Sequence, residues 1–248
     1  GQTFKDFELL VIDNGSTDGT SEVVQRMRDS RLKYILNPRP TKSCDAPRNL
    51  GIHLARGPLI SFIDDDERWY PERLEKVKMV FEENPEIFVV CHNEIIRIDG
   101  KIKEIWKGGP KAYNIYETLL YERPCLLAGA TTIKAEFLRK LGGFVLKKEY
   151  DAAADYDLWL RLAKEDVKIY FIDEILAEYL ITGRNWSITD PAFGSRVAFL
   201  IKEHILNYEK RPVYLISKRG MWRLFQLYFV AGRSFMRAGQ YINAFKYY

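Results

Sequence analysis

Asp64-Asp65-Asp66-Glu67 places four carboxyl groups directly after the apolar run Leu59-Ile60-Ser61-Phe62-Ile63. The run has the composition of a buried strand, and the acids sit where it leaves its sheet. In an open α/β sheet that end is the one at which ligands bind. Clustered carboxylates repel one another and are costly to desolvate, and a divalent cation held between them relieves both problems. Oxygen ligands of this kind suit Mg2+ or Mn2+, ions that commonly bridge protein carboxylates to a substrate phosphate. The same residues also read as a solvated acidic turn before a helix starting near Pro71, since acids favour helix N-termini. On these residues alone both readings stay open.

A second polar cluster follows an earlier apolar run. Phe7–Ile12 leads into Asp13-Asn14-Gly15-Ser16-Thr17-Asp18-Gly19-Thr20. The glycines permit a tight loop. Asp13, Asn14, Ser16 and Asp18 supply acceptors that either cap the next helix or hold a nucleobase or ribose. Arg48 stands at a helix start, against the dipole preference, and is a candidate for a pyrophosphate or for a nearby Asp. Trp159 is read as a core or wall residue, or as an apolar face for an acceptor sugar.

The elements that would position these groups alternate. Strand patterns at 7–12, 32–36, 59–63 and from 87 are separated by helical patterns at 20–29, 47–55 and 71–83. Such βαβα order predicts a mostly parallel central sheet flanked by helices. Asp99-Gly100 between two apolar runs predicts a hairpin. A helix over 135–141 closes on Gly142-Gly143, a helix over 155–164 precedes a strand over 167–172, and everything after Pro191 reads as helix. The expected division is an α/β domain over 1–190 and a helical extension over 191–248.

Composition excludes several classes. Hydrophobic residues make up 47% and charged residues 29%, as in folded rather than disordered chains. Cys44, Cys91 and Cys125 are widely spaced, which points to reduced thiols and a cytoplasmic setting rather than a disulfide frame or zinc site. No apolar stretch reaches the length of a membrane span. The net charge of +4 is uneven: residues 201–248 hold nine Lys/Arg against two acids, a net +7, leaving −3 for residues 1–200. A basic, aromatic tail suits an anionic surface. No nucleic-acid-binding module accompanies the charge, so a peripheral membrane contact through 201–248, or a helical hairpin packed on the body, is expected instead.

Five segments in order resemble the family 2 glycosyltransferases of the GT-A fold. They are Gln2–Glu8 followed by Val11-Ile12-Asp13-Asn14-Gly15-Ser16-Thr17-Asp18-Gly19-Thr20, Ala46-Pro47-Arg48-Asn49-Leu50-Gly51-Ile52, Ile60–Pro71 with its D-x-D and W-x-P, Leu141-Gly142-Gly143-Phe144, and Asp155–Leu162. The resemblance implies a nucleotide-diphosphate-sugar transferase fold and an inverting transfer of a sugar to an acceptor hydroxyl. It implies Asp66 as the metal carboxylate for Mn2+ or Mg2+, with Asp64 and Asp65 near the donor's ribose and phosphates. Asp13 and Asn14 match the pair that contacts the nucleobase, Asn14 standing where many members have a second Asp. Asp155 matches the catalytic base, with Asp157 as the fallback and helix capping as the plain alternative. Ala153-Ala154 stands where relatives often have Glu before this Asp. Arg184 and Trp186 fall in the loop that in relatives closes over the donor. Together with the basic tail, the resemblance points to an acceptor that is a glycan or lipid-linked glycan of surface polysaccharide synthesis, at the cytoplasmic face of a membrane.

The resemblance also implies a first strand that should precede Gln2 by roughly 25 residues, so the chain reads as N-terminally truncated. Two rival readings remain: a sugar nucleotidyltransferase, which should carry a G-x-G-x-R loop, and a non-catalytic nucleotide- or glycan-binding relative.

Overall fold

The computed structural model describes residues 1–109, 114–183 and 185–247. The first half alternates as β1 (Leu9–Asp13), α1 (Thr20–Arg26), β2 (Leu32–Leu36), α2 (Asp45–Leu54), β3 (Leu59–Ser61), β4 (Glu67–Trp69), α3 (Arg73–Glu83) and β5 (Ile87–Ile98). There follow β6 (Lys101–Trp106), α4 (Ile115–Tyr121), β7 (Thr131–Lys134), α5 (Ala135–Lys140), α6 (Ala154–Lys164) and β8 (Lys168–Ile181). The remaining elements are α7 (Trp186–Thr189), α8 (Phe193–Glu209), α9 (Lys218–Arg237) and α10 (Tyr241–Ala244).

The layered α/β architecture matches expectation, but the sheet is mixed rather than mostly parallel. β1 and β2 pair in parallel as a two-stranded sheet, while a six-stranded sheet runs β3-β7-β5-β8-β4 with β6 beside β5. β7 lies antiparallel to both β3 and β5, so β3 and β5 share a direction without touching. β5 and β8 are parallel, and β4 runs against β8. The helical crossovers read from the sequence are real. The strands that break the pattern are β4 and β7, too short to show a period of their own.

This arrangement collects loops at one rim. The carboxyl ends of β1, β2, β3 and β8 open there, and β7 and β4, running oppositely, begin there: Ser61 pairs with Thr132, and Glu67 with Tyr179. The β5–β6 hairpin turns at Asp99 and Gly100, both at positive φ (49° and 75°), the twist-matched geometry for two strands.

Two apolar layers clamp the large sheet. On one face Val77 and Phe81 of α3 pack with Ile87, Val90, Ile172 and Leu176. On the other lies the main core, in which α6 is buried between the sheet and α8, with Leu158, Trp159, Leu160 and Leu162 each at most 1% exposed. α8 and α9 form a close hairpin. A side chain at Gly194 would press on the Ala231 backbone, so glycine is what permits the approach. The Glu209 carboxylate closes the connection by accepting from the Ser217 backbone N–H (2.6 Å) and hydroxyl (2.7 Å).

Candidate active site

At the ends of β1 and β2 the polar loop residues are already occupied with one another. Asp13 is 5% exposed and accepts from the Gly15 and Ser16 backbone N–H groups (2.9 and 2.7 Å) and from the Tyr34 hydroxyl. The Tyr34 bond and then the Ser16 amide hold its carboxyl down to about 2. Asn14 ties this loop to the next: its Nδ2 donates to the Thr41 and Ser43 carbonyls, and its Oδ1 accepts from Asn37 and the Thr41 amide. An Asp at position 14 could not donate those two bonds, which gives a local reason for the amide. Ser16 is exposed at the loop tip.

From Ser43 the polar chain continues inward. Its hydroxyl donates to Asp45 Oδ2 (2.5 Å), Asp45 opens α2 at 2% exposure, and Arg48 follows one helical turn later. Nη2 of Arg48 donates to both Asp64 oxygens, at 2.7 and 2.6 Å. Burial opposes the Arg48 charge, but Asp64, Cys44 and Asp155 surround it and keep it protonated. Arg48 therefore stands between the acidic loop and Asp155. Asn49, its neighbour, exchanges two bonds with Phe144, donating to the carbonyl and accepting from the amide, both at 2.8 Å. Gly143 has φ +66°, and a side chain there would strike the Asn49 oxygen. The A-P-R-N and G-G-F segments thus meet as one clamp.

Asp155 lies in the first turn of α6, with its carboxylate half-buried in a dense setting that still reaches solvent. Burial pushes it up to about 6, with the Arg48 charge pulling the other way. Its Oδ1 accepts from the Tyr156 amide at 2.8 Å. Asp157 points elsewhere. It is 4% exposed, receives Arg161 Nε at Oδ2 (2.6 Å) and faces His204 Nε2 at Oδ1 (3.1 Å). Burial would raise it, but His204 and Arg161 outweigh that and hold it low. With both oxygens committed in the interior, Asp157 is a structural node, which removes it as the fallback base. Trp159 is 1% exposed in the core and offers no face to an acceptor sugar; that expectation is corrected too. The reason is that α8 covers α6 and closes the core over the ring.

The acidic loop divides its roles. Asp65 is exposed, while Asp66 is held from across the rim. Nδ2 of Asn185 donates to Asp66 Oδ2 at 2.7 Å and to the Leu180 carbonyl at 3.0 Å, and Asn185 Oδ1 accepts from the Thr182 amide at 2.8 Å. That acceptor fixes which way the amide faces. Asp66 Oδ1 is buried with no hydrogen-bond partner, and burial together with Asp64 pushes the carboxyl up. An unsatisfied buried carboxylate oxygen beside two further acids is a fitting seat for a divalent cation. Among the described residues no group of three or more His, Cys, Asp or Glu could hold a metal alone. One or two carboxylates completed by substrate phosphates is the usual arrangement for Mg2+. Arg184 lies outside the described residues, and Trp186 opens α7. Nothing in the sequence links Asn185 to Asp66; only the folded chain brings them together.

A buried polar layer supports this loop from beneath. Arg73, fully buried, lies over the Trp69 ring (3.7 Å) and donates to His92 Nε2, Ser61 Oγ and the Gly129 carbonyl. Glu94 is 1% exposed with neither carboxylate oxygen hydrogen-bonded, and burial pushes it up to about 7. Glu67, pushed up to about 9 by burial and then by Glu94, accepts from the Asp64 amide and packs flat on Gly129, where any side chain would collide with it. Glu67 is thus a neutral brace at physiological pH rather than a fourth metal ligand.

A family model described as glycosyl transferase family 2 matches residues 1–142. An uncharacterized glycosyltransferase of Rickettsia felis is 30% identical over 207 residues, 83% of this chain and 33% of its own length. The Escherichia coli UDP-Glc:alpha-D-GlcNAc-diphosphoundecaprenol beta-1,3-glucosyltransferase WfaP is 29% identical over 167 residues, 67% of this chain and 62% of that protein. S. aureus TarS 1–349 in complex with UDP-GlcNAc superposes with a TM-score of 0.63 at 20% identity, over 98% of this chain and 72% of that one. At such identity the likeness is one of fold. The chain spans about a third of the length of the Rickettsia relatives it matches.

Proposed function

The chain belongs to glycosyl transferase family 2 and has the GT-A fold, and on that premise we propose that it is a metal-dependent, inverting glycosyltransferase. Residues 1–190 do the chemistry. The donor is a nucleotide-diphosphate sugar, and the acceptor is a hydroxyl of a glycan or lipid-linked glycan at the cytoplasmic face of a membrane. The observation that carries the reading is the position of Arg48, which clasps Asp64 of the acidic loop while its charge also reaches Asp155.

Asp155 is the base. With a pKa of about 6 it is mostly ionised at neutral pH, yet basic enough to accept a proton as the acceptor oxygen attacks. The proton passes from that hydroxyl to the carboxylate, the new C–O bond forms at the anomeric carbon, and the bond to the diphosphate breaks on the opposite face. The leaving diphosphate departs with the bonding pair. Arg48 is placed to meet its growing charge. Asp66, whose Oδ1 lacks a partner, would hold Mn2+ or Mg2+, which when bound supplies further neutralisation of that charge. Asp13 and Asn14 shape the loop wall facing the nucleobase, and WfaP's UDP-glucose and lipid-linked acceptor are the model for substrate class.

A transfer assay over UDP-, GDP- and dTDP-sugars with Mn2+ tests this. Release of nucleoside diphosphate, lost in Asp66→Ala and Asp155→Asn, is the expected result. Pyrophosphate release would make the protein a nucleotidyltransferase, and binding without turnover a non-catalytic relative.

A further inference from the structure

The α9 helix has two faces of different character. Its inner face is spent on the body: Leu224, Ala231 and Phe235 are at most 6% exposed, and Arg223 reaches the Tyr156 hydroxyl on α6 at 3.4 Å. Its outer face is apolar and open. Met221, Trp222, Phe225 and Val230 are each more than half exposed, and the rings of Trp222, Phe225 and Phe229 stack in a row along the axis. Large aromatic side chains in that number on one exposed helix face mark an interaction site. The tail is therefore a packed hairpin on one side, with an exposed amphipathic face on the other.

Charge names the occupant. Residues 210–248 contain eight Lys/Arg and no Asp or Glu. On α9, Lys218, Arg233 and Arg237 flank the aromatic row. No described helix is long and apolar enough to cross a membrane, so the helix has the composition of one that lies in the interface, aromatic side chains down and cations at the head groups.

We propose that the outer face of α9 docks on an anionic lipid bilayer, with Trp222, Phe225 and Phe229 inserted and Lys218, Arg233 and Arg237 on the head groups. The inference rests on the transferase reading for its purpose and adds a placement. The Arg223–Tyr156 contact means that the helix touching lipid on one side touches the base helix on the other, next to Asp155. A helix is about 10–12 Å across. A lipid-anchored acceptor could therefore keep its chain in the bilayer and still bring a sugar hydroxyl to the base.

Co-sedimentation with phosphatidylglycerol-containing and pure phosphatidylcholine vesicles tests it, using the whole chain and a Trp222→Ser/Phe225→Ser variant. Both positions are exposed, so melting temperature should hold, and donor hydrolysis without vesicles should match the parent. The expected result is binding to anionic vesicles only, weakened by salt and reduced about tenfold or more in the variant. A Lys218→Gln/Arg233→Gln/Arg237→Gln variant should lose the preference for anionic lipid. Equal sedimentation of parent and serine variant overturns the proposal, as does failure of the parent to bind. So does a concentration-dependent dimer in analytical ultracentrifugation that the serine substitutions abolish, since the face would then belong to a second copy. Intact hydrolysis with failed binding sinks the docking inference alone, whereas failed hydrolysis in the parent sinks the enzymatic reading.

Discussion

The side-chain amide of Asn185 donates to Oδ2 of Asp66, joining the segment after β8 to the acidic loop 119 residues earlier in the chain. The bond leaves Oδ1 as the oxygen still lacking a partner. Asn185→Ala should weaken Mn2+ binding about tenfold, since a hydrogen bond to a charged group contributes about 1.5–3 kcal/mol. Titration of Mn2+ by thermal shift, without donor, reads this directly; an unchanged midpoint would refute it.

Asp155→Asn should lower turnover by about 10²–10⁴-fold while leaving donor affinity near its parent value. In the parent, Asp155 is protonated below about pH 6 and cannot accept a proton. The pH profile of kcat/KM should therefore fall on its acid side with a midpoint near 6.

Arg48→Gln should move that midpoint upward. The guanidinium stabilises the ionised form of Asp155, so its removal raises the carboxyl's pKa, by about one unit for a neighbouring charge of this kind. KM for the donor should rise as well, because Asp64 loses its partner. An acid limb that stays in place would mean that Arg48 and Asp155 do not share a field.

Asp157→Ala should act on folding rather than on donor binding. It strips half-buried Arg161 and buried His204 of their shared anion, a change worth about 3 kcal/mol. The Asp157 pKa is lowered in the folded state, so its contribution is complete above its unfolded value of 3.8 and is lost as pH falls further. Denaturation curves of parent and variant should differ at pH 7, and the difference should narrow as pH falls below 3.8.

Gly129→Ala should disturb the site without touching it. The added methyl would meet the Glu67 carboxyl, which holds the Asp64 amide. A Mn2+ affinity loss with little change in melting temperature is expected, measured by the same titration.

The sequence made β1, β2, β3, the helices between them, the Asp99-Gly100 hairpin and the Gly142-Gly143 stop legible because each is coded by local periodicity or by a residue that a turn requires. Arg48, Asp66 and Asp155 were legible because their neighbours form recognisable segments. What stayed hidden is set by contacts across the chain. β4 and β7 are defined by partners more than a hundred and about forty residues away, respectively. Asn185 and Glu94 matter through what they face, and Trp159 lost its expected role because α8 covers α6. Side-chain type alone carries none of that.

The reversed direction of β7 has a mechanical consequence. A strand running against its neighbours delivers its leading segment, ending at Gly129, to the rim where β3 releases the acidic residues. That segment is core rather than surface: Cys125, Leu126 and Ala130 are at most 1% exposed, and the Gly129 carbonyl accepts from Trp69 and Arg73. The acidic residues therefore leave the sheet against a fixed anvil of backbone, so that a push on the core at Gly129 is felt at Asp64 through the Glu67 carboxyl.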